Sequence, residues 1–148
     1  MISVTQALSI IAQDYGPECR VEAAAKRGSA VHRACAAYAT GLYPVLNDDI
    51  RGYFESFQIW FDSQVAQVAM EPEIELKDEI LGVKGHPDLP WLVLKDGRNV
   101  LIDIKTPVQF RRSWSLQLSA YWWMVQTQAK LKTLQPGVLM LDPDGKSA

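Results

Sequence analysis

A tight turn between two apolar runs is the sequence feature that most constrains this fold. Residues 89–94 and residues 99–104 are apolar runs with the composition of strands. Between them lies Asp96-Gly97, a dipeptide that supplies the positive φ angles of a type I′ turn. The two runs are therefore predicted to form one β-hairpin.

The turn also predicts which residues face one another. A two-residue loop pairs Lys95 with Arg98. Counting back at constant register places Asp88 opposite Lys105 and diagonal to Asp103, at about 5 to 8 Å between carbons. Because side chains alternate faces along a strand, the two carboxylates and the amine are predicted to converge on one face.

Two carboxylates and an amine suit metal-assisted chemistry on phosphates. Mg²⁺ and Mn²⁺ are hard ions that bind carboxylate, carbonyl and water oxygens and keep open positions for a phosphate. Lys105 could then hold or polarise the attacking water. The simpler interpretation is a cross-strand ion pair between Asp88 and Lys105, which stabilises little if it is exposed. On the hairpin alone, the ion pair is the better interpretation.

Composition indicates one ordinary globular domain spanning residues 1–148, with 48% hydrophobic and 22% charged residues. No run of about 18 apolar residues and no signal-peptide pattern occur, which favours a soluble, cytoplasmic protein without a membrane partner. Cys19 and Cys35 lack the spacing of a zinc or iron–sulfur site, so we expect two buried thiols.

The net charge of −2 gives no overall basic surface of the kind that marks a nucleic-acid binder. The distribution of charge is more informative. Residues 71–79 hold five acids against the single Lys77, whereas residues 105–114 hold Lys105, Arg111 and Arg112 and no acid. A local basic patch can attract a polyanion even when the total charge is slightly negative.

Periodicity predicts the remaining elements. Apolar residues at helical spacing indicate helices over residues 3–14, over residues 21–40, from Asn47 or Asp48 with an apolar stripe as far as Val68, and over residues 114–130. Alternating or apolar runs indicate strands at residues 71–76 and 137–141. Helices, antiparallel strands, a helix and a final strand predict an α/β or α+β fold, with a central mixed β-sheet flanked by helices.

Two of these helices carry polar residues of interest. On the second, His32 shares a face of small residues with Gly28. Such a histidine is more often a satisfied core residue than a metal ligand, and both interpretations stay open. On the last helix, which Ser113 can cap, Gln117 and Tyr121 are four residues apart and therefore neighbours on one face.

The two hairpin motifs resemble those of the PD-(D/E)xK nuclease superfamily, and specifically of its RecB-like exonuclease branch. Pro87-Asp88 is similar to the PD element, and Asp103-Ile104-Lys105 is similar to the (D/E)xK element. The resemblance is to a minimal, stand-alone nuclease of the kind found in phages and prophages.

Two further motifs extend the resemblance to most of the chain. Gly28-x-x-x-His32 is similar to the histidine motif of that branch, and Gln117-x-x-x-Tyr121 is similar to its QxxxY motif. Each pattern alone is weak, because such short patterns arise often by chance. The four occur in the expected order and on the expected elements.

The resemblance implies a restriction-endonuclease-like core and a metal-dependent nuclease. Asp88, Asp103, the carbonyl of Ile104 and His32 would bind Mg²⁺ or Mn²⁺, and Lys105 would position the attacking water. These residues are expected to form the catalytic centre.

The resemblance also implies roles for residues on and before the last helix. Gln117 and Tyr121 would act beside the lysine or face the nucleic acid, although a polar contact between helix and sheet would explain them equally. Arg111 and Arg112 would contact flanking phosphates, although loop arginines are as often merely solvated.

The expected substrate is DNA with single- or double-stranded ends, cut during phage or bacterial recombination or repair. A recombinase or a single-strand-binding protein is a possible partner. Two alternatives stay open: a non-catalytic nucleic-acid-binding or assembly module with the same fold, and an unrelated α+β protein whose ion pairs mimic the motif.

Overall fold

A computed structural model describes residues 1–11, 18–106 and 112–148 of the chain. Its helices are α1 (Val4–Ile11), α2 (Glu18–Ala39), α3 (Asp48–Gln64) and α4 (Arg112–Ala129). Its strands are β1 (Ile2–Ser3), β2 (Val65–Met70), β3 (Leu76–Asp78), β4 (Val83–Gly85), β5 (Leu89–Leu94), β6 (Asn99–Lys105) and β7 (Gln135–Met140). In these described ranges, no helix is long and apolar enough to cross a bilayer.

The strands form two mixed sheets flanked by helices. The larger sheet has the order β2-β5-β6-β7, antiparallel except for the parallel pair β6–β7. The smaller sheet has the order β1-β4-β3, with β1 parallel to β4 and β3 antiparallel to it. The mixed α/β class is confirmed, but the prediction of one central sheet is wrong. The chain turns at Pro72 and Glu73, where Glu73 has a φ of 58°, and β3 then pairs outside the larger sheet.

The larger sheet lies between two apolar clusters. On one side, residues of β5, β6 and β7 pack with α2 and α3, including Val31, Cys35, Phe54 and Phe57. On the other side, Leu101 of β6 packs with α4, α1 and the smaller sheet. Cys35 is buried as expected, whereas the side chain of Cys19 lies outside the described part of the chain.

Alternation along β6 determines where the polar residues lie. Ile102 and Ile104 belong to the cluster facing α2 and α3, whereas Leu101 belongs to the cluster facing α4. Asp103 and Lys105 have the parity of Leu101, because successive side chains of a strand point to opposite faces. Both therefore emerge toward α4.

The third helix is shorter than its apolar stripe predicts. It ends at Gln64, and Val65 and Val68 belong to β2, which pairs with β5. β-branched residues favour strands, and hydrogen bonding to the neighbouring strand outweighs the helical spacing here.

Candidate functional site

The hairpin of β5 and β6 closes through a longer loop than the sequence predicts. The amide of Leu94 donates to the carbonyl of Arg98 (2.9 Å), and the amide of Gly97 donates to the carbonyl of Leu94 (2.9 Å). Three residues therefore form the loop, and Gly97 takes the left-handed φ of 88° that such loops require. The predicted type I′ turn, with Lys95 opposite Arg98, is wrong.

A β-bulge at Pro90 shifts the register further along the hairpin. Leu92 pairs with Val100, but Leu89 pairs with Ile102, so that three steps on β5 match two on β6. Pro90 lies inside this irregular segment, where a residue without an amide hydrogen is tolerated. β5 is a central strand of its sheet, and a proline in a central strand is a sequence signal of a bulge that the hairpin prediction ignored.

The bulge decides which way Asp88 points. Continuing the register of the turn at constant spacing would place Asp88 opposite Ile104, whose side chain lies in the apolar cluster under α2 and α3. Asp88 itself precedes β5, and counting on from the Leu89–Ile102 pair brings it level with Asp103, not with Lys105 as predicted. Since a one-residue slip turns a side chain to the other face, the bulge at Pro90 is what brings the two carboxylates to one site.

Asp88 is buried and holds two partners. Its Oδ2 accepts a hydrogen bond of 2.6 Å from the amide of Ile104. Its Oδ1 lies 3.0 Å from Nδ1 of His32, which α2 brings to the site. Burial lowers the pKa of His32, but the hydrogen bond and charge of Asp88 outweigh it and raise the pKa above 6.5. His32 is therefore a member of the polar cluster rather than of the apolar core.

Asp103 is the most deeply buried charged side chain of the site, with 2% of its surface exposed. Burial, followed by the nearby charge of Asp88, raises the pKa of Asp103 to about 6, against the opposing effect of Lys105. The ammonium of Lys105 lies 2.8 Å from Oδ2 of Asp103. Even so, Oδ2 has no well-directed hydrogen bond within the part of the chain that the structure describes. Its negative charge is only partly compensated.

Lys105 is held from the side of α4. Its Nζ donates to Oε1 of Gln117 at 2.9 Å and lies 5.7 Å from the ring centroid of Trp114. Gln117 in turn donates from Nε2 to the hydroxyl of Tyr121 at 3.3 Å. The predicted proximity of Gln117 and Tyr121 on one helix face is confirmed, and a polar chain runs from Asp103 through Lys105 to Tyr121.

Tyr121 is buried against β4. A Cβ atom at Gly85 would overlap Cε1 of Tyr121, so the phenol ring occupies the space that any side chain at Gly85 would need. Burial raises the pKa of Tyr121. Gly28, the first residue of the histidine motif, lies beside the end of β6, where its added Cβ would be 3.8 Å from Oγ1 of Thr106.

The side chains of the site that could hold a divalent cation are Asp88, Asp103 and His32. Asp88 Oδ1 and His32 Nδ1 are 3.0 Å apart, the separation of adjacent ligands around an octahedral ion with bonds of about 2.1 Å. The two buried carboxylates each lie beside a basic group, Asp88 beside His32 and Asp103 beside Lys105. The described residues contain no group of three His, Cys, Asp or Glu side chains close enough to enclose an ion.

The two arginines predicted to contact phosphates can be compared with the structure only in their positions. Arg111 lies outside the described residues. Arg112 is exposed, but it is the first residue of α4 and not part of a loop as predicted.

Two residues outside the sequence motifs fix the backbone of the PD element, and neither role was predicted. The amide of Glu73 donates to the carbonyls of Pro87 (3.1 Å) and Asp88 (3.2 Å). The ring of His86 lies, through Nδ1, 3.0 Å from the carbonyl of Glu73. These contacts use the main chain of Glu73 in a left-handed conformation, which no sequence pattern indicates.

Comparisons with known proteins leave the chain without an assigned family. It matches no model of a known protein family and no curated protein sequence.

Proposed function

We propose that this chain is a divalent-metal-dependent nuclease of the PD-(D/E)xK type, with a restriction-endonuclease-like core, that hydrolyses DNA phosphodiester bonds. One observation carries the proposal: Pro87-Asp88 and Asp103-Ile104-Lys105 meet at one buried site. Asp88 accepts the amide of Ile104 at 2.6 Å, and Lys105 lies 2.8 Å from Asp103. Burying these charges together is unfavourable for stability alone, which favours a functional reason for them.

The metal ligands in this proposal are Asp88, Asp103, His32 and the carbonyl of Ile104. Mg²⁺ or Mn²⁺ bound there would lower the pKa of a bound water and neutralise charge on the scissile phosphate. Before an ion binds, Asp103 must be deprotonated and His32 must give up the Nδ1 proton that faces Asp88.

Lys105 has the environment of a water-positioning residue. Its ammonium carries three N–H donors. The ammonium forms an ion pair with Asp103 and a hydrogen bond to Gln117, and it also lies over the ring of Trp114. A remaining N–H can then be aimed at the attacking water or at a phosphate oxygen. Tyr121 acts one step further away, because its hydroxyl fixes the orientation of the Gln117 amide.

The test uses end-labelled single- and double-stranded DNA with Mg²⁺ or Mn²⁺. We expect metal-dependent degradation that EDTA abolishes and that Lys105→Ala lowers by about 100-fold or more. Lys84→Ala is the matched control, because Lys84 is also an ion-paired lysine but lies on the smaller sheet. Undiminished cleavage by a folded Lys105→Ala protein would refute the assignment.

End dependence is the second part of the proposal. We propose an exonuclease that acts on DNA ends in recombination or repair, with a recombinase or single-strand-binding protein as partner. Linear DNA should be degraded, whereas a covalently closed circle of the same sequence should persist. Nicks or breaks in the circle would show an endonuclease instead.

A non-catalytic nucleic-acid-binding or assembly module is the second candidate. It is favoured by the absence, in the described ranges, of three side chains already grouped around an ion position. This candidate predicts that the wild-type protein retains DNA with unchanged length at every metal concentration. Degradation that depends on Lys105 excludes it.

A further inference from the structure

The chain between Asp103 and Asp142 contains no acidic residue. Within that stretch lie the basic residues Lys105, Arg111, Arg112, Lys130 and Lys132. The whole chain has 15 basic and 17 acidic residues, so this stretch is basic in a protein that is slightly acidic overall. All of α4 lies within it. The basic residues of this stretch would therefore attract a polyanion, and α4 carries no acidic side chain that would repel it.

One face of α4 is turned away from the core. At steps of three or four residues it presents exposed side chains, which we call the outer face of α4: Arg112, Leu116, Ser119, Trp123, Thr127 and Lys130 just beyond its end. Two large apolar side chains, Leu116 and Trp123, are each 51% exposed in the middle of this face. Basic residues lie at both ends of the face, Arg112 at one end and Lys130 at the other.

The indole of Trp123 is held in place although half of its surface is exposed. Its Nε1 donates to Oδ2 of Asp78 at 3.0 Å. Oδ1 of Asp78 in turn accepts hydrogen bonds from the amides of Ile80 (3.0 Å) and Leu81 (2.9 Å). The turn after β3 therefore fixes the Asp78 carboxylate that binds the indole. A ring that is already oriented loses less conformational entropy when a ligand stacks on it.

The outer face and the candidate catalytic site are both formed in part by α4. Trp123 follows Gln117 by six residues, about 9 Å along the helix axis. Gln117 binds the ammonium of Lys105. The same six residues also turn the side chain by about 120° around the helix axis, so a strand bound at the site would have to follow the helix surface to reach Trp123.

We propose that the outer face of α4 binds single-stranded nucleic acid, with Trp123 stacked on a base and Arg112 and Lys130 against the phosphates on either side. Aromatic stacking between cations is the chemistry by which proteins bind unpaired strands without reading sequence. A duplex hides its base faces, so single strands are the preferred form. This inference rests on the proposed nuclease function and names the form of DNA that the site receives.

The test is equilibrium binding of a fluorescent oligothymidylate in EDTA, which prevents cleavage. Trp123→Ala should weaken binding about ten-fold, the loss expected for one base–aromatic stack. Trp123→Phe keeps a ring but loses the N–H bond to Asp78, and it should lie between that variant and the wild type. Tyr43→Ala is the control, because Tyr43 is an aromatic residue 70% exposed in the segment between α2 and α3.

A second measurement separates this inference from the proposed function. Metal-dependent hydrolysis of bis(p-nitrophenyl) phosphate, which has no bases, should be the same for Trp123→Ala and the wild type. Equal oligothymidylate affinity of the two proteins would overturn the inference while leaving the nuclease function intact. A wild-type protein that neither binds the oligonucleotide nor hydrolyses the small diester would overturn both. A change of oligomeric state in Trp123→Ala without loss of binding would assign the face to self-association and also overturn it.

Discussion

Two groups of charged residues in this molecule contain the same chemical types, acids with lysines and a histidine. One group lies exposed on the smaller sheet, and we call it the exposed group: Glu75, Lys77, Lys84 and His86. The other lies where β5, β6, α2 and α4 meet, and we call it the buried group: His32, Asp88, Asp103 and Lys105. The separations within the two groups are similar, between 2.8 and 3.4 Å.

The two groups differ in the direction in which the pKa of a carboxyl group is shifted, which is downward for Glu75 and upward for Asp103. Hydrogen bonds from Lys77 and Lys84 lower the pKa of Glu75. Burial and the charge of Asp88 raise the pKa of Asp103 to about 6, although Lys105 is nearer to Asp103 than either lysine is to Glu75. Burial, and not the presence of a lysine, decides the sign. The buried group is therefore the one whose protonation a ligand can change.

The largest difference between the two groups should be catalytic. Asp88→Asn should lower metal-dependent DNA cleavage about a thousand-fold, since it removes charge from the proposed metal site and with it several kcal/mol of transition-state stabilisation. Glu75→Gln, the matched change in the exposed group, should leave the rate within about two-fold. Initial rates at saturating Mn²⁺ check both, with thermal unfolding curves to establish that each variant is folded.

The opposite result would reverse the roles of the two groups. Cleavage lost in Glu75→Gln but kept in Asp88→Asn would mean that the exposed group is the catalytic one.

Gly85 connects the two groups, because it lies between Lys84 and His86 in sequence and faces Tyr121 of the polar chain. Gly85→Ala should reduce the free energy of unfolding by about 2 to 3 kcal/mol, since the new methyl would need the space of the Tyr121 ring. Gly28→Ala is the control, because its Cβ would meet only an ordinary contact at 3.8 Å and alanine favours helices.

Urea unfolding measures both glycine variants. Gly28→Ala should be as stable as the wild type or more stable by about 0.5 to 1 kcal/mol. A Gly85→Ala variant as stable as Gly28→Ala and the wild type would show that Tyr121 can move aside and does not fix the position of β4.

In EDTA, the contributions of Asp103 and of Glu75 to the free energy of unfolding should change with pH in opposite directions. The pKa of Asp103 is raised in the folded protein, from 3.8 to about 6, so the folded state binds the extra proton. Its contribution to the free energy of unfolding falls as pH rises from about 4 to 6. Asp103→Asn should remove this fall and leave the variant more stable than the wild type at pH 7, by roughly 2 kcal/mol.

Glu75 provides the matched change of opposite sign. Its pKa is lowered in the folded protein, so its contribution is present above about pH 4.5 and is lost as pH falls. Glu75→Gln should therefore flatten the acid side of the stability curve. Chemical unfolding at half-unit steps from pH 3.5 to 7.5 distinguishes the two, and identical profiles for both variants would contradict the assignment of Asp103 to a buried site.

The parts of this molecule that the sequence predicts are those determined by neighbours in the chain. Ser3 caps α1 at the start of the predicted first helix, because its Oγ accepts a hydrogen bond from the amide of Gln6, three residues along the chain, at 3.0 Å. Gln117 and Tyr121 meet because they are four residues apart on one helix. Local geometry of this kind does not depend on the rest of the fold.

The parts that the sequence failed to predict depend on pairing between distant segments. The turn at Gly97 and the bulge at Pro90 each shift the register by one residue. Together they return Asp88 to the same face as Asp103, so the two carboxylates converge although the predicted pairing is wrong. The contact between His32 and Asp88 joins residues far apart in the sequence, and only packing of α2 on the sheet creates it. The family resemblance, not periodicity, is what indicated it.

The smallest effects should come from the lysines of the exposed group. Lys77→Ala and Lys84→Ala each remove one ion pair to Glu75, at 3.0 and 3.4 Å. Exposed pairs gain little, because water and salt screen the attraction and two long side chains lose freedom. Each melting temperature should change by no more than about 2 °C at 0.15 M salt, and the difference should vanish at 1 M salt. A shift of 5 °C or more that persists at 1 M salt would show that the exposed group is screened far less than its accessibility implies, and burial would then no longer be what distinguishes the two groups.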